Sequence, residues 1–358
     1  MMNRTKTKIA VIAAILVTAG FTSCGETLAE LEFNTSKTMV TGVANKDKNP
    51  TKAVIPEGVK VIGESAFYYC DSLASVKIPS SVEEIGNKAF YNCKSLKSVT
   101  LPEGVKEIGV EAFRDCTSLA SVTIPGSVEV IGENAFWGCE SLASLTIGNG
   151  VTEIGRMAFW GCKSLTSVTI PNSVKILDGF TDTGLTSITI PNSVEKLSGF
   201  GGTPLTSVTI PGNVKEIGYN AFAQCDSLES VEILEGVEKI GNEAFFSCDI
   251  LESVTIPASV EVIDRRAFEL CKRLKSVEIP SSVTKISERT FWGCERLTSV
   301  TIPASVKVIE GSAFDDCKSL KSVTFQGTKA QWQAIRKVLW RDSLAVQCTD
   351  GEIPSQKW

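Results

Sequence analysis

Residues 82–102, VEEIGNKAFYNCKSLKSVTLP, and residues 105–125, VKEIGVEAFRDCTSLASVTIP, are two copies of one pattern. The cysteine of this pattern returns every 23 residues in two blocks: Cys70, Cys93, Cys116, Cys139 and Cys162, then Cys225, Cys248, Cys271, Cys294 and Cys317. A fixed period of this length is typical of stacked repeats, in which each unit buries its apolar face only against its neighbours. The sequence therefore predicts a right-handed, β-rich solenoid of about twelve turns of 20–23 residues.

Each turn has two extended parts and one tight edge. Leu73, Val76 and Ile78 have the spacing of a leucine-rich repeat strand, and Val82 with Ile85 forms a second short apolar element. The Ala-Phe pair and the cysteine that follow lie on a helical or 3₁₀ edge. An unbroken phenylalanine column is predicted to form the core: Phe67, Phe90, Phe113, Phe136, Phe159, Phe180, Phe200, Phe222, Phe245, Phe268, Phe291 and Phe314.

Two central turns lack the cysteine, and each is three residues shorter than the other turns. They read LDGFTDTGLTSITIP at 177–191 and LSGFGGTPLTSVTIP at 197–211. Because the strand sequences SITIP and SVTIP persist, we expect one continuous sheet with a pinched edge near residues 177–205, rather than a domain boundary.

The ends of a solenoid need caps, because a bare end would expose core. Thr328 with Gln331 three residues on is a capping-box signature. Four apolar residues then share one helical face: Trp332, Ile335, Leu339 and Trp340. We predict a tether and N-terminal cap strand in residues 24–50, a solenoid in 51–327, and a helical C-terminal cap in 328–358.

The first 23 residues have the order of an export signal. Arg4, Lys6 and Lys8 precede an apolar stretch, residues 9–21, that is too short to span a bilayer. Cys24 follows within FTSCG, which resembles a bacterial lipobox. We predict that residues 1–23 are a lipoprotein signal peptide and that lipidation of Cys24 anchors an exported protein at the outer membrane or cell surface. An ordinary secretory signal with an incidental cysteine is the alternative.

Composition excludes several function classes. Without residues 1–23 the chain has 33 basic and 41 acidic residues, a net charge of −8, and no basic cluster for nucleic acid. The absence of histidine removes His-based catalysis and the commonest metal ligand. The acidic pairs Glu83–Glu84 and Asp315–Asp316 are interpreted as solvated surface. We predict no enzyme activity, no metal and no cofactor.

The full pattern, IPxxVxxIGxxAFxxCxxLxxV, resembles the BspA-like leucine-rich repeat family of bacterial surface antigens, also described from treponemes. The resemblance covers about residues 40–350 and includes the tail, FQGTKAQWQAIRKVLW followed by CTDG. It implies a cell-anchored protein that adheres to host matrix, host cells or other bacteria, with no catalytic residues. A polysaccharide-binding or carbohydrate-active surface protein and a structural surface-layer component are the alternatives.

Two repeated columns allow more than one interpretation. The cysteines could form disulfides in an oxidising compartment, but five per block is odd and in-register side chains point the same way, which favours buried free thiols. The state of Cys348, outside the column, is left open. The Ser-x-Thr strand positions, such as Ser121 and Thr123, could bind a regular surface, or simply be good β-formers that bond across the ladder.

The residue after each core phenylalanine is the third candidate. Six such residues are of the types enriched in binding hot spots: Tyr68, Tyr91, Arg114, Trp137, Trp160 and Trp292. They follow an inward residue on a tight turn, so we expect them to face partly outward. They are predicted to bind a protein partner; the alternative is that each ring lies flat on the next turn and covers it.

Overall fold

The computed structural model describes residues 26–338 and 344–355. The predicted signal peptide and Cys24 lie outside the described residues, as do Leu339 and Trp340 of the predicted cap. The described chain is a β-solenoid of about 13 turns, so the predicted repeat architecture is confirmed.

The strands are short, and nearly all belong to the two extended faces of the coil. In chain order they are β1 (Leu31–Phe33), β2 (Met39–Val43), β3 (Lys52–Val54), β4 (Val61–Ile62), β5 (Ser75–Lys77), β6 (Glu84–Ile85), β7 (Ser98–Thr100), β8 (Glu107–Ile108), β9 (Ser121–Ile124), β10 (Val130–Ile131), β11 (Ser144–Ile147), β12 (Glu153–Ile154), β13 (Ile176–Asp178), β14 (Lys196–Ser198), β15 (Ser207–Ile210), β16 (Glu216–Ile217), β17 (Ser230–Ile233), β18 (Lys239–Ile240), β19 (Ser253–Thr255), β20 (Val262–Ile263), β21 (Ser276–Glu278), β22 (Lys285–Ile286), β23 (Ser299–Ile302), β24 (Val308–Ile309), β25 (Ser322–Phe325), β26 (Arg336–Lys337), β27 (Ala345–Cys348) and β28 (Gly351–Ile353). A 3₁₀ helix covers Lys46–Lys48, and α1 covers Lys329–Ala334.

Two parallel faces run along the coil. The isoleucine face is a twelve-stranded sheet from β1 and β2 through β4 to β20, followed by β22, β24 and β26. The serine face carries the Ser-x-Thr strands. Pairing is in register, with Ser121 opposite Ser144 and Ile85 opposite Ile108. Equivalent residues of successive turns therefore form straight columns.

The expected continuity through the two short turns holds on only one face. The isoleucine face continues from β12 through β13 and β14 to β16. On the serine face, residues 167–170 and 187–190 form no strand, and pairing resumes at β15. The prediction that SITIP stays a strand was therefore wrong. Strand pairing on the serine face is interrupted at the short turns, as it also is between β19 and β21.

The core is the predicted phenylalanine column. Neighbouring rings stack with centroids 4.9 Å apart at Phe67–Phe90 and 5.8 Å apart at Phe180–Phe200, the widest step. All twelve rings are buried. At about 1.5–3 kcal/mol for each buried side chain, this column is a principal source of stability.

The cysteine column consists of buried free thiols, as the odd count favoured. Each Sγ of the second and later turns donates to the phenylalanine carbonyl one turn before, as Cys93 does to Phe67 at 3.2 Å. In the short turns a threonine stands at the cysteine position and donates to the phenylalanine carbonyl of its own turn: Thr183 to Phe180 at 2.8 Å and Thr203 to Phe200 at 2.6 Å. Cys348 is also free and buried.

Antiparallel strands close both ends: β1 pairs with β2, and β28 pairs with β27. The prediction of a helical C-terminal cap is not confirmed. The Thr328–Gln331 capping box is present, but α1 ends at Ala334. Ile335 is extended, and Arg336 donates to the carbonyl of Lys307 at 3.0 Å, so the chain rejoins the isoleucine face as β26. None of the helices within residues 26–338 and 344–355 has the length and apolar character needed to cross a bilayer.

Candidate functional site: an aromatic and cationic edge

The third side of the coil is an edge on which successive turns bond directly. Around Phe113, the backbone N–H groups of Phe113 and Asp115 donate to the carbonyls of Ala135 and Trp137, each at 2.7 Å. Glu111 and Asp115 have φ values of 55° and 58°, in the left-handed region, on either side of the phenylalanine. This backbone points the phenylalanine inward and the next residue outward, and it aligns those outward residues from turn to turn.

Five of the six predicted binding residues lie in one line, which we call the edge ladder: Tyr68, Tyr91, Arg114, Trp137 and Trp160. The rings of Tyr68 and Tyr91 stack at 5.1 Å, and those of Trp137 and Trp160 stack at 4.6 Å with planes 8° apart. The Arg114 guanidinium lies between them, 5.6 Å from the Tyr91 ring and 4.1 Å from the Trp137 ring. Such cation–π contacts stabilise by about 0.5–2 kcal/mol.

Trp292 does not join the edge ladder. It lies several turns further along, beyond the small residues Thr181, Gly201 and Ala223 of the same column. Its cation partner is Arg289, 5.8 Å from the ring centroid.

The edge ladder is partly exposed and partly buried, so it fits both expected roles: binding a partner and covering the coil. Tyr68 is 37% exposed, and the other four residues are half-buried. Each interior member has a neighbour on both of its flat faces, so the ladder covers the coil as well as facing solvent. What it presents outward is the rim of stacked planar groups.

Carboxylates hold Arg114 in place. Its Nη1 lies 2.6 Å from Glu111 Oε1, and its Nε lies 3.5 Å from Asp115 Oδ2. Lys88 approaches Glu111 at 3.3 Å. Burial raises the pKa of Asp115, although the Arg114 guanidinium acts in the opposite direction. The cluster pairs two cations with two anions, so its local charge is nearly balanced.

Sequence reasoning missed these two carboxylates, although Glu111 stands at the i, i+3 spacing to Arg114 that allows pairing. It also missed the N-terminal end of the ladder. Lys46 lies 5.7 Å from the Tyr68 ring and donates to the Tyr68 carbonyl. Tyr69 packs against Tyr68 at 4.6 Å and against Tyr91 at 5.7 Å.

Tyr69 is the unusual member of this end. Its φ is 58°, and it is 45% exposed. A bulky residue in the left-handed region is strained, and the next turns have Asn92, Asp115 and Gly138 at this position. The left-handed backbone conformation of Tyr69 is therefore unfavourable. Burial of the ring does not compensate for this strain, because the ring is exposed.

The serine face offers a different surface. Its hydroxyls, such as those of Ser144 and Thr146, point to solvent. Thr209 bonds Glu232 at 3.2 Å rather than another hydroxyl. Within the part of the chain that the structure describes, no group of three or more acidic or thiol side chains could hold a metal ion.

Comparison with solved structures places the coil among bacterial repeat proteins. A leucine-rich repeat protein from Bacteroides ovatus is 28% identical, with a TM-score of 0.66 and 93% of this chain and 98% of that chain covered. A leucine rich cell surface protein from Faecalibacterium prausnitzii is 29% identical, with a TM-score of 0.52 and 89% and 98% covered. The pneumococcal vaccine antigen PcpA shares the fold at 23% identity, with a TM-score of 0.61 and 90% and 94% covered.

No curated protein sequence matches the chain. Residues 44–166, 84–199 and 198–321 match the family described as BspA type leucine rich repeat region (6 copies). The matched segments overlap and together include most of the chain, and they contain the whole edge ladder. This protein belongs to the BspA-type leucine-rich repeat family.

Proposed function

We propose that this protein is an exported, lipid-anchored recognition protein that binds other proteins through its edge ladder. The observation that carries the proposal is the line of tyrosine, arginine and tryptophan on five adjacent turns. These residue types dominate protein-binding hot spots, which need a few large anchors within a polar surround. Adhesion to host matrix, to host cells or to other bacteria is the proposed biological use.

The geometry favours a protein partner over a polysaccharide. Sugars stack on open aromatic faces, whereas Trp137 has Trp160 on one face and the Arg114 guanidinium on the other. The interior of the ladder therefore offers ring rims and polar tips. Aromatic rims carry the positive side of the ring quadrupole and pack against carbonyl oxygens and side chains of a protein surface.

The similar cell-surface protein of Faecalibacterium prausnitzii supports the proposed location, and the predicted lipidation of Cys24 supplies the anchor. A Cys24→Ala variant should remain folded, because the described coil begins after this residue. It should also leave the membrane fraction and the detergent phase on phase separation. A variant that still partitions with the membrane would contradict lipid anchoring.

Binding can be tested by capture from host extracellular matrix extract. We expect a Trp137→Ala, Trp160→Ala double variant to lose more than tenfold in affinity for the captured matrix protein. The matched control is Thr146→Ala, Thr169→Ala, which alters the serine face of the same two turns. Equal capture by the wild type and the tryptophan variant would exclude the edge ladder as the binding surface.

The tryptophan variant also loses stability, which must be measured alongside. A stacked aromatic pair contributes about 0.5–1.5 kcal/mol beyond burial, and the contact with Arg114 adds to this. We therefore expect a modest fall in Tm with cooperative unfolding retained. Collapse of the fold would mean that the rings mainly cover the core.

A further inference from the structure

The edge ladder stops abruptly at Trp160, and a notch follows it. The next positions of the column are Thr181 and Gly201, as the backbone bonding shows: Gly161 N–H donates to the Thr181 carbonyl at 3.1 Å, and Asp182 N–H donates to the Gly201 carbonyl at 2.8 Å. Two large rings are thus followed by a small side chain and then by none.

The shortened turns deepen this step. Phe159 stands five positions after Ile154, but Phe180 stands only three positions after Leu177. In each short turn, two of the three residues without a counterpart belong to the corner that precedes the core phenylalanine, and the third belongs between the threonine and the next leucine. We define the notch as the edge of the turns that contain Phe180 and Phe200, with Trp160 as its wall.

Trp160 ends the ring stack on the side of the notch. Its ring stacks on Trp137, and within residues 26–338 and 344–355 no second ring or cation lies against it. Every interior member of the ladder has a planar partner on both sides. The stack therefore ends at Trp160, which has a planar partner on one face only among the described residues.

A carboxylate lies beside this open position. Asp182 directly follows Thr181, and its Oδ1 occupies the space that a side chain on Gly202 would need. No basic side chain of the described residues lies within ion-pair distance of Asp182. Burial raises its pKa, opposed by the charge of Lys163.

The same molecule shows what such a position accepts. Arg114 occupies the equivalent column position three turns earlier; it lies 5.6 Å from the ring of Tyr91 in the turn before and pairs with Asp115. Asp115 and Asp182 have the same column position and nearly the same φ, 58° and 55°. Oδ1 of Asp115 likewise lies over a glycine of the next turn, Gly138. At the notch, the ring and the carboxylate are present, and the guanidinium is missing.

We propose that the notch receives an arginine side chain of the protein partner, with its guanidinium against the face of Trp160 that lies away from Trp137 and its N–H groups on the Asp182 carboxylate. Arginine fits better than lysine because the guanidinium is planar, stacks on a ring and pairs with a carboxylate through two N–H groups at once. This inference rests on the proposed function, since it names the side chain that the edge ladder recognises.

The test uses acetyl-arginine amide as the probe and the indole N–H signals of the tryptophans in a ¹⁵N–¹H correlation spectrum as the readout. We expect a saturable shift of the Trp160 signal with half-saturation on the order of 1–10 mM, the range of a single side-chain contact. Acetyl-citrulline amide, which has the same shape without the charge, should give no saturable shift. Asp182→Asn should weaken the arginine effect about tenfold.

The matched control is Asp316→Asn, at the same column position on a late turn that follows the Trp292 turn; it should leave the arginine-induced shift of Trp160 unchanged. Asparagine tolerates the left-handed backbone of both sites, so both variants should fold. No Trp160 shift with arginine, an equal shift with acetyl-lysine amide, or a shift that survives Asp182→Asn would each overturn the assignment. Loss of matrix capture by the tryptophan variant, with no arginine effect on Trp160, would refute the notch and leave the proposed function standing. A specific arginine effect without matrix capture would refute the proposed function instead.

Discussion

Raising the pH from 7 to 9 under reducing conditions should destabilise the solenoid through its buried thiols. Burial raises the pKa of these thiols, to about 11 for Cys225 and about 12 for Cys116. In the unfolded chain a thiol has a pKa of about 8.5. As the pH rises above that value, the unfolded state loses protons that the folded state retains, so the free energy of unfolding falls.

The magnitude follows from the number of deeply buried thiols. At pH 9, each thiol that ionises only in the unfolded state lowers the free energy of unfolding by about 0.8 kcal/mol. Eight thiols have pKa values raised by nearly complete burial: Cys93, Cys116, Cys139, Cys162, Cys225, Cys248, Cys271 and Cys294. Together they give a loss of about 6 kcal/mol, comparable with the whole stability of many domains.

Guanidinium chloride unfolding followed by circular dichroism at pH 7 and pH 9 measures this loss as a lower midpoint. The matched variant is Cys271→Ser, Cys294→Ser. A serine hydroxyl does not ionise in this range and can donate to a phenylalanine carbonyl; the Thr183 hydroxyl, at the same column position, donates to that of Phe180 in its own turn. The pH-dependent loss should shrink by about a quarter in this variant, whatever its stability at pH 7. Equal midpoints for the wild type at both pH values would refute the account of the thiol column.

Three further changes test the packing. Phe245→Ala removes a fully buried ring from the middle of the column and should lower the free energy of unfolding by about 3–5 kcal/mol in chemical denaturation; a loss under 1 kcal/mol would contradict a closely packed column. Thr203→Val removes the hydroxyl that donates to the Phe200 carbonyl at 2.6 Å; that carbonyl keeps the Thr203 N–H at 3.3 Å and Cys225 Sγ at 3.2 Å, so the change should cost about 0.5–1.5 kcal/mol in the same assay, and an unchanged midpoint would show that this bond is dispensable. Lys275→Ala breaks an exposed 2.6 Å ion pair with Glu252 and should change stability by less than about 1 kcal/mol; a larger loss would indicate a structural role for this surface.

The repeat architecture could be predicted because every turn repeats the same apolar positions. The period fixed the column of Phe67, Phe90 and their equivalents, and the odd cysteine count with in-register side chains indicated free thiols. The path of the C-terminal cap could not be predicted in the same way. The Thr328–Gln331 box starts a helix, but hydrogen bonds from Arg336 to the preceding turn end it early, and such a long-range bond has no local signal.

The candidate site was predictable as a column, and stacking of each ring on the next turn was one of the two alternatives that the sequence left open. Spacing identified Tyr91, Arg114 and Trp137 as equivalent positions. Whether their side chains lie on one another depends on side-chain rotamers and on the carboxylates that hold the guanidinium. The notch, too, could be recognised only in the three-dimensional structure. The deletion at residues 177–205 was visible in the sequence, but the interrupted strand pairing on the serine face and the position of Asp182 beside the end of the ring stack were not.

Photo-crosslinking from one turn tests the central claim that the edge, and not the serine face, meets the partner. Benzoylphenylalanine is placed at Glu140, beside the Trp137 edge, or at Thr146, on the serine face of the same turn; both positions are exposed. Each labelled protein is incubated with host matrix extract and irradiated. The account predicts a crosslinked matrix protein from position 140 and little from position 146. A crosslink from position 146 alone would contradict it.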